Sequence, residues 1–180
     1  MDPTHFEPGP LARVECRARG DGWELVFVRD LRHPLEKVWA ALTEPDQLRE
    51  WAPFAADRNL SRVGDATLTM IDADTSADLE AKVRRAERPT LLEYVWGGDV
   101  LRWELAATDV GTRLTLRHTT KDRDQVPKAA AGWHLCLVVA DRVLDGQPVG
   151  PIRGQAAMSY GWAELRDAYA ERLGITDETA

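Results

Sequence analysis

Three consecutive stretches, Leu91 to Trp96, Val100 to Ala107 and Thr112 to Thr119, alternate so strictly that their two faces are chemically opposite. One face carries Glu93, Arg102, Glu104, Arg113 and Arg117. The other carries Leu92, Tyr94, Trp96, Leu101, Trp103, Leu105, Leu114, Leu116 and His118, an almost wholly apolar wall. A slip of one residue would turn that whole set towards water, so the pattern fixes the register and demands a cover. The cover is predicted at Ala129 to Leu144, where Trp133, Cys136, Leu137, Ala140, Val143 and Leu144 form a broad apolar stripe at helical spacing, with Gly146 as its stop.

The remaining elements fit around that pair. Val14, Cys16 and Ala18 alternate with Arg13, Glu15, Arg17 and Arg19 as in a half-buried strand. Gly20-Asp21-Gly22 turns the chain into a second strand, Trp23 to Asp30, whose inward face stays open because both parities are apolar. Leu35, Val38, Trp39 and Leu42 then predict an amphipathic helix with Pro34 in its first turn. Pro45 starts a second short helix that turns Leu48 and Trp51 inward. Ala66 to Ile71 and Leu79 to Arg85 read as further strands, so the middle of the chain is an antiparallel meander. A linker with Pro148, Gly150, Pro151 and Gly154 leads to a last helix from about Ala156 to Leu173, presenting Trp162, Leu165, Tyr169 and Leu173 and stopping at Gly174. The prediction is one α+β domain over residues 1–180, with a loose proline-rich arm at 1–10 and a linker plus extra helix at 147–180.

Several function classes are excluded at this level. A formal net charge of −7 disfavours nucleic acid, whose phosphates need clustered Lys and Arg, and disfavours anionic membranes. No apolar run has the length of a membrane span, and MDPTHFEPGP lacks the features of a secretory signal, so a cytoplasmic location is expected. Cys16 and Cys136, the two cysteines, are far apart and read as buried thiols. The histidines do not fall at metal-ligand spacing. Asp72, Asp74, Ser76 and Asp78 alternate like a calcium loop but lack its glycine and closing glutamate, so a solvated hairpin is expected. No nucleophile elbow, phosphate-cradling loop or dinucleotide fingerprint occurs, and no catalytic residue, metal or cofactor is assigned.

The segments VFVRDLRHPLEKVWAALTEPDQLREWAPF, VGDATLTM, ERPTLLEYVWGGDVLRWEL, GTRLTLRHT and AAGWHLCLVVADRVLDG occur in an order that resembles the SRPBCC superfamily. Within it they are similar to the C-terminal domain of the activator of Hsp90 ATPase. Trp39 and Trp51, twelve positions apart, and the later Gly132-Trp133-His134 make the set specific. The resemblance covers roughly Trp23 to Gly146 and implies a helix-grip fold, a curved antiparallel sheet wrapped around a long C-terminal helix. It also implies an interior that holds lipids, hormones, polyketides or other apolar molecules, in some relatives as substrates. The eukaryotic activators carry a separate N-terminal domain for which no counterpart is expected here, since the first strand begins near Val14.

Strand parity and the helix stripe turn Tyr94, Trp96, Trp103, Leu105, Leu116, His118, Trp133 and Leu137 towards the same interior. These side chains either line a ligand cavity or fill it. His118 is the sharpest of them, because a neutral imidazole on an apolar wall can bond a ligand, act as a base, or simply satisfy a backbone group. His134, beside Trp133, faces either the interior or the strands. The expected occupant is a small hydrophobic molecule, with an enzyme acting in the same cavity or an Hsp90-type co-chaperone as rival readings. A homodimer through the exposed side of the last helix stays open.

Overall fold

The computed structural model describes residues 3–72 and 75–175. An eight-stranded antiparallel sheet runs in the order β1-β2-β8-β7-β6-β5-β4-β3. Its strands are β1 (Arg13–Arg19), β2 (Gly22–Leu31), β3 (Phe54–Ala56), β4 (Gly64–Asp72), β5 (Thr75–Glu87), β6 (Leu91–Trp96), β7 (Asp99–Thr108) and β8 (Gly111–Thr120). Four α-helices complete the fold: α1 (Leu35–Thr43), α2 (Pro45–Trp51), α3 (Gln125–Leu144) and α4 (Trp162–Leu173).

The meander forms in the register that the alternation demands. Trp103 stands opposite Leu92 on one side and Leu116 on the other, and Leu101 lies between Tyr94 and His118. On the outer face Arg102 donates to Glu104 at 2.6 Å and to Glu93 at 3.1 Å, while Arg117 donates to Glu24 at 3.2 Å. These ion pairs are partly buried, with Glu24 only 5 % exposed, but the apolar wall on the opposite face buries many side chains at roughly 1.5–3 kcal/mol each and decides the register. The open parity of β2 is settled by its pairing with β8: Leu25 stands opposite His118 and Phe27 opposite Leu116, both fully buried on the concave face. Arg29 shares that parity and is carried inward, where burial first, against nearby Asp141 and Tyr169, holds it below its ordinary value.

Helix α3 lies in the grip of this sheet and is buried almost all round, from Val126 and Ala130 through Trp133 to Ala140 and Leu144. The sheet covers one side, and α1, α2 and α4 pack against the others. It starts four residues earlier than its apolar stripe predicts. Pro127 falls in its first turn, where a missing N–H costs nothing. Pro34 stands at the N-cap of α1 rather than within the helix, and Pro45 opens α2. Trp51 of α2 is 1 % exposed, and its Nε1–H donates to Ala41 O at 3.0 Å, which locks the two short helices together.

Several features depart from the sequence expectation. Strand β3 is a three-residue edge strand, too short to show a period, held by pairing of Phe54 with Met70. The last helix does not run from Ala156: residues Gly154–Tyr160 form a 3-10 turn, and Gly161 at φ 83° breaks the direction before α4 begins. That left-handed backbone suits glycine and interrupts the helical hydrogen-bond ladder. The proline-rich opening is anchored rather than loose between Phe6 and Ala12. Phe6 is buried with its ring 5.2 Å from that of Tyr160, and Ala12 N–H donates to Tyr169 Oη at 3.0 Å. Met1 and Asp2 of that opening lie outside the described residues, as does Asp74 of the acidic alternation. Thr75 pairs with Asp72 across the β4–β5 hairpin.

Candidate functional site

The two-residue Gly97-Gly98 turn, with φ 57° and 100°, folds β6 back on β7 and sets Trp96 directly opposite Asp99. Both point to the concave side at one end of the wall. His118 follows on β8 and Trp133 on α3. The Trp133 Nε1–H donates to His118 Nδ1 at 3.0 Å, and His118 Nε2 lies 2.8 Å from Asp99 Oδ2. Indole nitrogen is only a donor, so Nδ1 must carry the lone pair. The proton is therefore assigned to Nε2, which donates to the Asp99 carboxylate. The His118 side chain is 7 % exposed and that of Asp99 34 %, so the chain of bonds runs from the interior to the rim.

The aromatic residues around this relay pack against one another. Trp103 and Trp133 meet edge to face at 5.2 Å, Trp51 and Trp103 at 6.2 Å, and Phe54 and Trp96 lie at 5.5 Å. Trp103 Nε1–H donates to Tyr94 Oη at 3.2 Å. Burial pushes the Tyr94 phenol above its ordinary range, which keeps its proton in place. Of the eight residues singled out by sequence, Tyr94, Trp96, Trp103, Leu116, His118 and Trp133 come together here. Leu105 lies two positions beyond Trp103 along β7, opposite Leu114, and Leu137 one helical turn beyond Trp133, both in the core away from the rim.

Trp96 differs from its neighbours. It is only half-buried, yet its Nε1 is shielded from solvent and has no acceptor. Leaving a buried donor unpaired costs about 1–3 kcal/mol. Beside it the inward positions of the β4–β5 hairpin, Met70, Ala77 and Leu79, are apolar and partly or fully exposed. The other unsatisfied buried donor or acceptor among the described residues is His33 Nε2, which has Asp141 and Asp145 carboxylates 3.3 Å away.

His134 finds its hydrogen-bond partners in the proline-rich opening and in α4, near Arg29 of β2. Its Nε2 donates to Pro8 O at 2.8 Å, and Tyr169 Oη donates to its Nδ1 at 2.7 Å. Burial first, opposed by the Pro8 bond, holds this imidazole below its ordinary value, so it is neutral. Cys136 is buried and its thiol is pushed up to about 12, whereas Cys16 is half-buried; both are free. Among the described residues no three acidic, histidine or cysteine side chains converge to hold a metal, and no helix is long and apolar enough to cross a membrane. Asp99 is the member of the site that sequence reading missed. The period of two that runs through Leu105, Trp103 and Leu101 reaches it one step further on.

Recesses lined by described residues also open away from this cluster. One lies between the start of α3 and α4, one on the outer face of β4–β6, and one beneath the 3-10 turn at Gly154–Tyr160.

A curled antiparallel sheet closed on one long helix, with the inward face at its helix side, is the helix-grip architecture of the SRPBCC superfamily. Within it the chain belongs to the family described as Activator of Hsp90 ATPase homolog 1-like protein, whose model matches residues 32–142, more than half of the chain. Solved structures agree on the fold. CalU16 from Micromonospora echinospora is 20 % identical, with a TM-score of 0.65 over 89 % of this chain and 95 % of that one. A protein from Mesorhizobium loti is 26 % identical, with a TM-score of 0.61 over 70 % and 99 %. An AHSA1-like protein from Aeromonas hydrophila is 20 % identical, with a TM-score of 0.60 over 68 % and 92 %. No curated protein matches the chain significantly.

Proposed function

We propose that this protein binds a small apolar molecule carrying a hydrogen-bond acceptor, at the Trp96 end of the concave face. The reading rests above all on the Trp96 Nε1–H, shielded from water and without an acceptor, beside the apolar positions Met70 and Leu79, partly exposed, and Ala77, exposed. An acceptor on a ligand would satisfy that donor, while the ligand body would cover the rim. Trp133, Trp103, Tyr94 and Leu116 are the rigid backing of such a site, and Leu105 and Leu137 support it from the core. His118 holds Trp133 and Asp99 in place.

The same geometry weighs against acid–base catalysis by His118. Both ring nitrogens have protein partners, so the imidazole would have to give up the Trp133 or the Asp99 bond before taking a proton from a substrate. A co-chaperone role rests on the family description; its test is whether the protein changes the ATPase rate of an Hsp90-type chaperone.

The ligand reading is tested by native mass spectrometry of protein from its host together with a thermal-shift screen of lipophilic compounds. The expected result is a bound small molecule, and a compound class that raises the melting temperature of the wild type but not of Trp96→Phe. A protein that is empty and unresponsive across the library would overturn it. Turnover of a hydrophobic compound that His118→Ala abolishes would replace it with the enzyme reading.

A further inference from the structure

The recess beneath the 3-10 turn is separate from the Trp96 rim and has its own chemistry. It is an open recess of about 370 Å³, within the range of small-molecule pockets. Leu135 of α3, Ile152, Ala157, Met158 and Trp162 give it an apolar lining. Arg153 also lines it, and its guanidinium is underused. One N–H donates to Ala52 O at 3.1 Å, and among the described residues no carboxylate lies within ion-pair distance. A guanidinium offers five donors, so most of these are left for something else. Burial lowers Arg153 from its ordinary value, against a smaller opposing influence of Cys136. The Trp162 indole N–H, a second donor on the same wall, has no acceptor among the described residues either.

Two further details shape the site. One acid also lines the recess, Asp72: its Oδ1 accepts the Gln155 N–H at 2.7 Å, and it sits so tightly against Gly154 that a Cβ there would lie 2.0 Å from it. Gly132 forms part of the floor in the middle of α3. A glycine inside a helix is less stable than alanine, yet a Cβ at this position would meet nothing closer than Trp162 Nε1 at 3.9 Å. Packing between protein groups therefore does not require the glycine. Its effect is to leave room in the recess.

We propose that this recess is a second binding site, for a small apolar molecule with an oxyanion head: the head on Arg153 and the Trp162 N–H, the body over Leu135, Ile152 and Met158 across Gly132. A carboxylate and a phosphate monoester share the necessary chemistry, and both accept charge-assisted bonds from a guanidinium.

The test uses the full chain with labelled indole nitrogens, whose N–H resonances report each tryptophan separately, titrated with octanoate, octyl phosphate and octan-1-ol. The Trp162 resonance is expected to move with at least one of the acids, and octan-1-ol to bind roughly tenfold more weakly or worse for want of the charged head. Whichever acid binds more tightly identifies the head group. Arg153→Gln retains a donor for Ala52 O but removes the charge, and should bring the acids down to the affinity of the alcohol. Gly132→Ala, which the space accommodates, should raise the thermal midpoint while weakening the acids, and Gly132→Leu should exclude them. Equal affinity for acid and alcohol, an Arg153→Gln variant that binds as the wild type does, or no binding of either acid at millimolar concentration would overturn the proposal. So would movement of the Trp96 resonance with Trp162 unmoved. That last result would place the ligand on the concave face and leave the Trp96 reading standing.

Discussion

His118 and His134 are each bonded through both ring nitrogens, but one sits at the rim of the concave face and the other in a sealed joint. His134 is fully buried between Pro8 and Tyr169, and every polar atom of that joint that the structure describes has a partner. His118 is tied to a carboxylate that is one-third exposed, and its neighbour Trp96 keeps an unpaired donor. The contrast separates polar groups that hold the fold together from polar groups that wait for a partner. A histidine in an apolar interior is therefore not in itself a sign of chemistry; an unsatisfied neighbour is the more telling feature.

The largest effect should come from breaking the sealed joint. His134→Ala strands the Tyr169 hydroxyl and the Pro8 carbonyl and should cost about 3 kcal/mol in urea unfolding, the sum of lost bonds and unpaired groups. A loss under about 1 kcal/mol would show that the joint is not structural. Trp133→Phe keeps an aromatic ring but removes the donor to His118 Nδ1 and part of the buried indole, and should cost roughly 2 kcal/mol on the same measure.

Acid sharpens the contrast further. His134 is held below its unfolded value, so the unfolded chain takes up the proton first. Its contribution is fully present above about pH 6.5 and is lost as pH falls through the lowered folded value, with a slope of at most ~1.4 kcal/mol per pH unit. Urea midpoints measured from pH 7.5 to 5 should fall more steeply for the wild type than for His134→Gln. Parallel curves would remove His134 as the source. The smallest effect should come from Trp96→Phe, which deletes an unpaired donor. Stability should hold or rise by up to about 1 kcal/mol, whereas a clear loss would mean that Trp96 Nε1 has a partner after all.

Much of this was legible in the sequence because burial imposes a period. β6 spans the residues that its alternation marks, and the neighbours of Trp103 follow from parity alone. What escaped lacks a period. Phe54–Ala56 is too short to alternate, and the break at Gly161 looks like a tolerated glycine until its left-handed backbone is seen. The direction of His134 depends on α4 and on the proline-rich opening, partners far away in sequence that no local pattern announces. The strand expected from Val100 begins one residue earlier, directly after the glycine turn, and that added residue, Asp99, is the one that pairs with His118.

The Tyr169 hydroxyl accepts from Ala12 and donates to His134, so a residue ahead of β1 and the last helix fasten to α3 through one oxygen atom. Such a clasp makes the two margins of the domain energetically interdependent. Trimming back past Ala12 should quicken amide exchange in α4, and mutating Tyr169 should loosen the segment before Arg13, although the two lie more than 150 positions apart.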